Sequence, residues 1–127
     1  MPWMTSNVDA LRDFEVEAIR ILAAGILSDE QIEGLKSLKV PARFEYTGCG
    51  YFLTVADPEL PAERLTLSVP PIIGTADDVV SGFVVFLGEH EPTLECHTWG
   101  VVDVPDDFRQ RDVLVQQPSP ETFIRPL

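Results

Sequence analysis

Apolar side chains recur at helical spacing near the start of the chain. Leu11, Phe14, Ala18, Ile21 and Leu22 recur at spacings of three and four residues, with both Ile21 and Leu22 following Ala18, so they share one face of a helix. Carboxylates fill the N-terminal half of this segment, where the helix dipole favours negative charge. Gly25 is suited to end the helix. The pattern therefore predicts a first helix from about Asn7 to Ala24.

A second helix follows after a few residues. Ser28 and Gln31 have the spacing of a capping box, and Leu27 and Ile32 occupy the positions of a hydrophobic staple. Pro41 stops the helix. Two helices joined by a short connection form a hairpin that must pack on something larger.

From Ala42 onward the apolar period changes to two, which is typical of strands. Gly48 and Gly50 interrupt the first alternating segment, so they mark either a hairpin turn, which we favour, or a bulge in one long strand. Further strands are predicted at 65–69, 82–87, 93–99 and 113–115, with 101–104 as an extension. The 82–87 segment is almost continuously apolar, which indicates that both of its faces are covered. We interpret the segment around Gly74, Asp77 and Asp78 as a loop with room for one helical turn.

These elements predict an α+β fold. Two N-terminal helices would pack on one face of an antiparallel sheet of about five strands. The length of 127 residues suits one domain spanning residues 1–127, with an irregular, proline-containing tail from about residue 116.

Charge adds the most distinctive feature. Nine Lys and Arg oppose 21 Asp and Glu, for a net charge of −12. No Lys or Arg occurs between Arg64 and Arg109, and eight carboxylates lie in that interval: Asp77, Asp78, Glu89, Glu91, Glu95, Asp103, Asp106 and Asp107. Such a surface repels nucleic acid and anionic lipid and attracts basic partners. Solubility alone also accounts for a high net charge.

The sequence excludes several other classes of protein. No apolar run approaches the ~18 residues of a membrane span, and the N-terminus does not have the pattern of a signal peptide. Cys49 and Cys96 are too few for a disulfide framework. We therefore expect a cytoplasmic protein with reduced thiols.

The chain resembles short bacterial proteins of an uncharacterised family. The resemblance covers about residues 15–100 and lies in three segments. They are Thr47-Gly48-Cys49-Gly50-Tyr51-Phe52, Gly82-Phe83 with Phe86-Leu87, and Leu94-Glu95 through Thr98-Trp99-Gly100. The resemblance implies the same order of helices and strands and brings no activity with it. Residues 101–127 look like an addition.

Catalytic and metal-binding patterns are weak. Cys49 and His97 could meet across the sheet as a nucleophile and base, whereas Cys96 and His97 are adjacent on a strand and point to opposite faces. The alternative is a buried thiol beside an exposed imidazole. His90 adds one more metal ligand type, but no zinc spacing occurs. Asp77, Asp78, Asp103, Asp106 and Asp107 lack the pattern of a calcium loop. We assign no catalytic residue, metal or cofactor.

The sequence favours an interaction protein over an enzyme. An inhibitor or an immunity-type protein that neutralises a basic protein partner has this acidic profile. The residues expected to bind the partner are Asp77, Asp78, Glu89, Glu91, Trp99, Asp103, Asp106 and Asp107. The alternatives are a small-ligand pocket lined by aromatic residues under the helices and homodimerisation through an exposed edge strand.

Overall fold

A computed structural model describes residues 4–118 of the chain. It contains eight strands, two α-helices and one 3-10 helix. They are β1 Met4–Val8, α1 Asp13–Leu22, α2 Asp29–Lys36, β2 Ala42–Tyr46, β3 Tyr51–Thr54, β4 Leu65–Leu67, β5 Ile73–Ala76, β6 Val79–Leu87, β7 Thr93–Thr98, the 3-10 helix Phe108–Gln110 and β8 Leu114–Gln116. Among the described residues, no helix is long and apolar enough to cross a membrane.

All strands belong to one antiparallel sheet in the order β1-β2-β3-β7-β6-β5-β8. β6 is the longest strand, and β5 and β4 pair with its first and second halves on the same side. The α+β class is confirmed, but the prediction of about five strands is too low. The hairpin interpretation of Gly48 and Gly50 is also confirmed, because Tyr46 pairs with Tyr51 across that turn.

The first helix begins later than predicted, at Asp13 rather than near Asn7. Residues 4–8 instead form β1, with Asn7 opposite Arg43 and Val8 opposite Ala42 on β2. The helix start is fixed by Glu15, whose carboxylate accepts a hydrogen bond of 2.7 Å from the Arg12 backbone N–H. This bond satisfies one of the donors that a helix N-terminus leaves unpaired.

The prediction of a loop around Gly74 is wrong. Residues 73–76 form β5, and Asp77 and Asp78 make a two-residue turn into β6, which starts at Val79. The prediction missed β5 because its four residues include a glycine, which weakens any strand pattern. Conversely, the expected extension at 101–104 is not a strand.

The second helix matches its sequence signals at the N-terminus. The Ser28 hydroxyl accepts from the Gln31 N–H at 3.1 Å, and the Gln31 side chain accepts from the Ser28 N–H at 2.8 Å. The last predicted strand is present as β8. The tail was expected to be irregular from about residue 116. Gln116 is the last residue of β8, and residues 119–127 of the tail lie outside the described residues.

The helices cover one face of the sheet. Phe83 and Val85 on β6, with Leu94 and Cys96 on β7, point towards α1 and α2 and are buried. Because alternate residues of a strand point to opposite faces, the other face carries Phe52, Val80, Gly82, Val84, Phe86, Glu95 and His97. We call it the uncovered face, since no described helix packs on it. Phe86 is 38% exposed there, so the prediction that both faces of residues 82–87 are covered is wrong.

A charged network lies inside the core. Arg109 donates to both oxygens of Glu15, at 2.7 and 2.8 Å, and Tyr51 donates to the same carboxylate at 2.6 Å. Arg109 also donates to the Ala10 carbonyl. Glu15 is fully buried and Arg109 is 7% exposed. Burial opposes the charge of Arg109, but the hydrogen bond and charge of Glu15 raise its pKa above the ordinary value. The network joins α1, β3 and the 3-10 helix.

We expect Arg109→Met to reduce the free energy of unfolding by about 3–5 kcal/mol, because it leaves the Glu15 carboxylate buried without its counter-charge. Urea denaturation measures the loss. Arg20→Met is the control, since Arg20 and its partner Glu17 are both largely exposed and such pairs contribute little. Adding Glu15→Gln to Arg109→Met should recover part of the stability. Equal losses for Arg109→Met and Arg20→Met would contradict this role.

Candidate functional site

One end of the sheet gathers most of the carboxylates that the sequence singled out. Asp77 and Asp78 form the β5–β6 turn. Trp99 lies beside that turn, because its backbone N–H donates to the Val80 carbonyl at 2.9 Å. Asp103, Asp106 and Asp107 follow in the loop after β7. We call Asp77, Asp78, Asp103, Asp106 and Asp107 the acidic end.

We call residues 101–107 the acidic loop; one backbone and one side-chain hydrogen bond hold it against the sheet. The Val104 N–H donates to the Cys49 carbonyl at 3.1 Å, and the Tyr46 hydroxyl donates to the Val104 carbonyl at 2.9 Å. Val104 is fully buried. The loop is therefore tied to the β2–β3 turn on one side and, through Arg109, to the core on the other.

The structure separates Glu89 and Glu91 from the acidic end. They occupy the β6–β7 turn, at the other end of β6, and nine residues of strand span about 27 Å. Glu95 lies between the two ends, on the uncovered face. The eight carboxylates thus form two separate groups and one isolated residue.

Three of these carboxylates have arginine partners, although no Lys or Arg lies within the sequence interval that holds them. Arg64 pairs with Glu89 at 2.9 Å, and Arg111 pairs with Asp77 at 3.5 Å and with Asp107 at 3.2 Å. These arginines flank the acidic interval in sequence, and the fold brings them back to it. At the acidic end, Arg111 pairs with two of the five carboxylates, so negative charge remains in excess.

The charges of the acidic end affect the pKa of the Tyr46 phenol. Burial raises its pKa above the ordinary value, and the charges of Asp106 and Asp103 raise it further. Apolar side chains accompany these charges at the surface. Val101, in the same loop, is 92% exposed, and Val102 is 37% exposed. The acidic end therefore combines excess negative charge with exposed apolar surface.

Gly82 shapes the uncovered face next to the acidic end. A Cβ at this position would lie 2.6 Å from Nε2 of His97 and 2.9 Å from Cε3 of Trp99. The absence of a side chain lets both rings lie against the middle of β6. His97 Nδ1 is buried and finds no hydrogen-bond partner among the described residues.

The two cysteines and two histidines lie in different surroundings. Burial raises the pKa of the Cys96 thiol to about 12, so it stays protonated. Cys49 is exposed in the β2–β3 turn, 3.7 Å from the Thr47 hydroxyl, whereas the His97 ring lies over β6. His90 is held 2.6 Å from the Leu60 carbonyl. Within residues 4–118, no three His, Cys, Asp or Glu side chains group as metal ligands.

Glu15 and Arg109 are the residues that sequence reasoning missed. Glu15 is one of the carboxylates that the helix dipole favours, but it lies four residues after Leu11 and three before Ala18, within the apolar face of α1. That position was the available signal. No sequence signal indicated that Arg109 is buried, because the chain around it has no clear periodicity.

No protein-family model matches the chain. Comparison with curated proteins finds no match, and no solved structure matches the chain. Function is therefore inferred from the residues and their geometry.

We expect Gly82→Ala to destabilise the protein by roughly 1–3 kcal/mol, because the new methyl group would displace His97 and Trp99. In a Trp3→Phe background, the emission of Trp99 should shift as well. Gly34→Ala on α2 is the control. Nothing lies within 4 Å of a Cβ there, so the change should be neutral or stabilising. An unshifted Trp99 spectrum in folded Gly82→Ala would refute the packing assignment.

The two thiols should differ in reactivity. Cys49 is exposed and Cys96 is buried, so a thiol reagent such as DTNB should modify one cysteine in the native protein and both in denaturant. In Cys49→Ser, modification should wait for unfolding. Rapid native modification of Cys49→Ser would show that Cys96 is accessible.

Proposed function

We propose that this protein captures a positively charged protein surface with its acidic end. An inhibitor or immunity-type role towards a basic protein is the specific form of this proposal. One observation supports it most directly. Five aspartates from two separate segments of the chain lie at one end of the sheet, with the exposed Val101 in the same loop.

Electrostatics favours this surface for a cationic partner. The net charge of −12 attracts such a partner from a distance and accelerates its association. At short range the acidic end supplies the excess carboxylates, since Arg111 pairs with only two of the five. Asp103 and Asp106 are exposed and lie in the loop fixed by Val104.

Apolar contacts would complement these charges. Aromatic side chains frequently dominate the energetics of protein interfaces. Trp99 lies partly exposed between the β5–β6 turn and the acidic loop, and Val101 projects from that loop. A partner with an apolar side chain surrounded by lysines or arginines fits this arrangement.

The small-ligand alternative receives less support. The cavity between the helices and the sheet, lined by residues such as Leu11, Leu53 and Leu94, measures about 10 Å³. Ligand pockets usually measure about 300–1,000 Å³. A depression of about 380 Å³ lies at the surface between α2 and residues 57–60, and its lining is mostly polar.

The test compares two variants that change the net charge equally. Immobilised protein is exposed to a lysate of its own source at low and at high salt, and the bound proteins are identified by mass spectrometry. We expect a basic protein to bind at low salt and to be released at high salt. Asp103→Asn/Asp106→Asn should weaken this binding roughly tenfold at low salt, because two carboxylates of the acidic end are lost.

Glu30→Gln/Glu63→Gln is the matched control. Both glutamates are exposed and lie outside the acidic end, so this variant should bind like the wild type. Equal weakening by both variants would mean that total charge, and not the acidic end, retains the partner. Capture that is insensitive to salt would also contradict the proposal.

A further inference from the structure

β1 is an open edge of the sheet. It stands first in the strand order and pairs only with β2, and nothing in the part of the chain that the structure describes pairs with its outer side. An edge strand presents a row of backbone N–H and C=O groups that can pair with another strand.

The usual protection of an edge is missing from β1. Native proteins block such edges with charged side chains, proline or very short strands. β1 has five residues, and Thr5, Ser6 and Asn7 are exposed, uncharged and compatible with a strand. The opposite edge strand, β8, has only three residues and follows Arg111 and Asp112.

We propose that β1 is the interface with a second copy of this chain. The two β1 strands pair antiparallel about a two-fold axis at Ser6 and join the two sheets into one. Five paired residues extend about 17 Å along the seam. This arrangement satisfies the outer backbone groups of β1 in both copies.

The charges beside β1 do not oppose pairing in this register. On β2, Glu45 lies opposite Thr5 and Arg43 lies opposite Asn7, and the four side chains share the uncovered face. Arg43 and Glu45 form an ion pair with each other, 3.1 Å apart, so the charges nearest the seam are neutralised within each copy. The two-fold axis places Thr5 opposite Asn7 of the partner subunit, so neutral polar side chains meet at the seam.

The antiparallel arrangement also separates the excess negative charge. Tyr46, which senses Asp103 and Asp106, lies opposite Met4 at one end of β1. The two-fold axis therefore puts the acidic ends at opposite ends of the joined sheet, where they repel each other least. Both acidic ends remain accessible, so this proposal does not depend on the function proposed above.

Sedimentation and light scattering test the dimer. The wild type should have twice the chain mass of 14.1 kDa at micromolar to millimolar concentration. The fraction of dimer should rise at high salt, because salt screens the repulsion between acidic copies. Capture of a basic partner would respond to salt in the opposite direction. Monomers throughout this range would overturn the proposal.

Charge substitutions at the axis test the position of the interface. Ser6→Lys and Ser6→Glu should each raise the dimer dissociation constant at least tenfold, because like charges would face each other. An equimolar mixture of the two variants should associate again. Ser37→Lys, at the exposed end of α2, is the control and should remain dimeric. Dimers unchanged by Ser6→Lys, or a mixture that stays monomeric, would place the interface elsewhere.

Disulfide formation tests the register in a Cys49→Ser background. Ser6→Cys should cross-link two copies on oxidation, because directly opposite residues on paired strands have Cβ atoms close enough for a disulfide. Thr5→Cys should cross-link much less, since its opposite residue is Asn7 of the partner subunit. Equal cross-linking by both variants would contradict pairing about Ser6.

Discussion

The buried carboxylate of Glu15 is the constraint on which the structure depends. A charge inside a protein is tolerated only when it is paired and hydrogen-bonded. Glu15 meets this requirement with donors from three places, namely Arg109, Tyr51 and the Arg12 backbone. Helix α1, strand β3 and the 3-10 helix must therefore be assembled together. Since Arg109 follows directly after the acidic loop, the same ion pair fixes one end of that loop.

The acidic end is a consequence of this assembly and of the hairpins that meet beside it. The β5–β6 turn contributes Asp77 and Asp78, and the loop after β7 contributes the other three aspartates. Neither segment has enough structure of its own to hold carboxylates close together against their repulsion. The buried Val104 and the hydroxyl of Tyr46 supply the missing constraint. Contacts in the interior therefore hold the exposed aspartates in position.

The sequence predicted the features that are formed by residues close together in the chain. The capping box at Ser28 and the glycine turn before Tyr51 are formed by neighbouring residues, so the pattern sufficed. β1 was missed because Thr5, Ser6 and Asn7 have no apolar period, and only pairing with β2 makes them a strand. The candidate site was predicted as one acidic segment, but distances along β6 divide it. Glu15 escaped notice because a charged side chain is ordinarily counted as exposed.

The most direct measurement is a two-dimensional amide NMR titration of the intact protein with an oligolysine peptide at low salt. Every exposed carboxylate attracts such a peptide, so the map shows where the fold concentrates the attraction. If the acidic end captures cationic surfaces, the largest shifts fall at residues 77–78 and 99–107 and disappear at high salt. Shifts spread evenly over the carboxylates, or strongest around α2, would contradict the assignment of this surface.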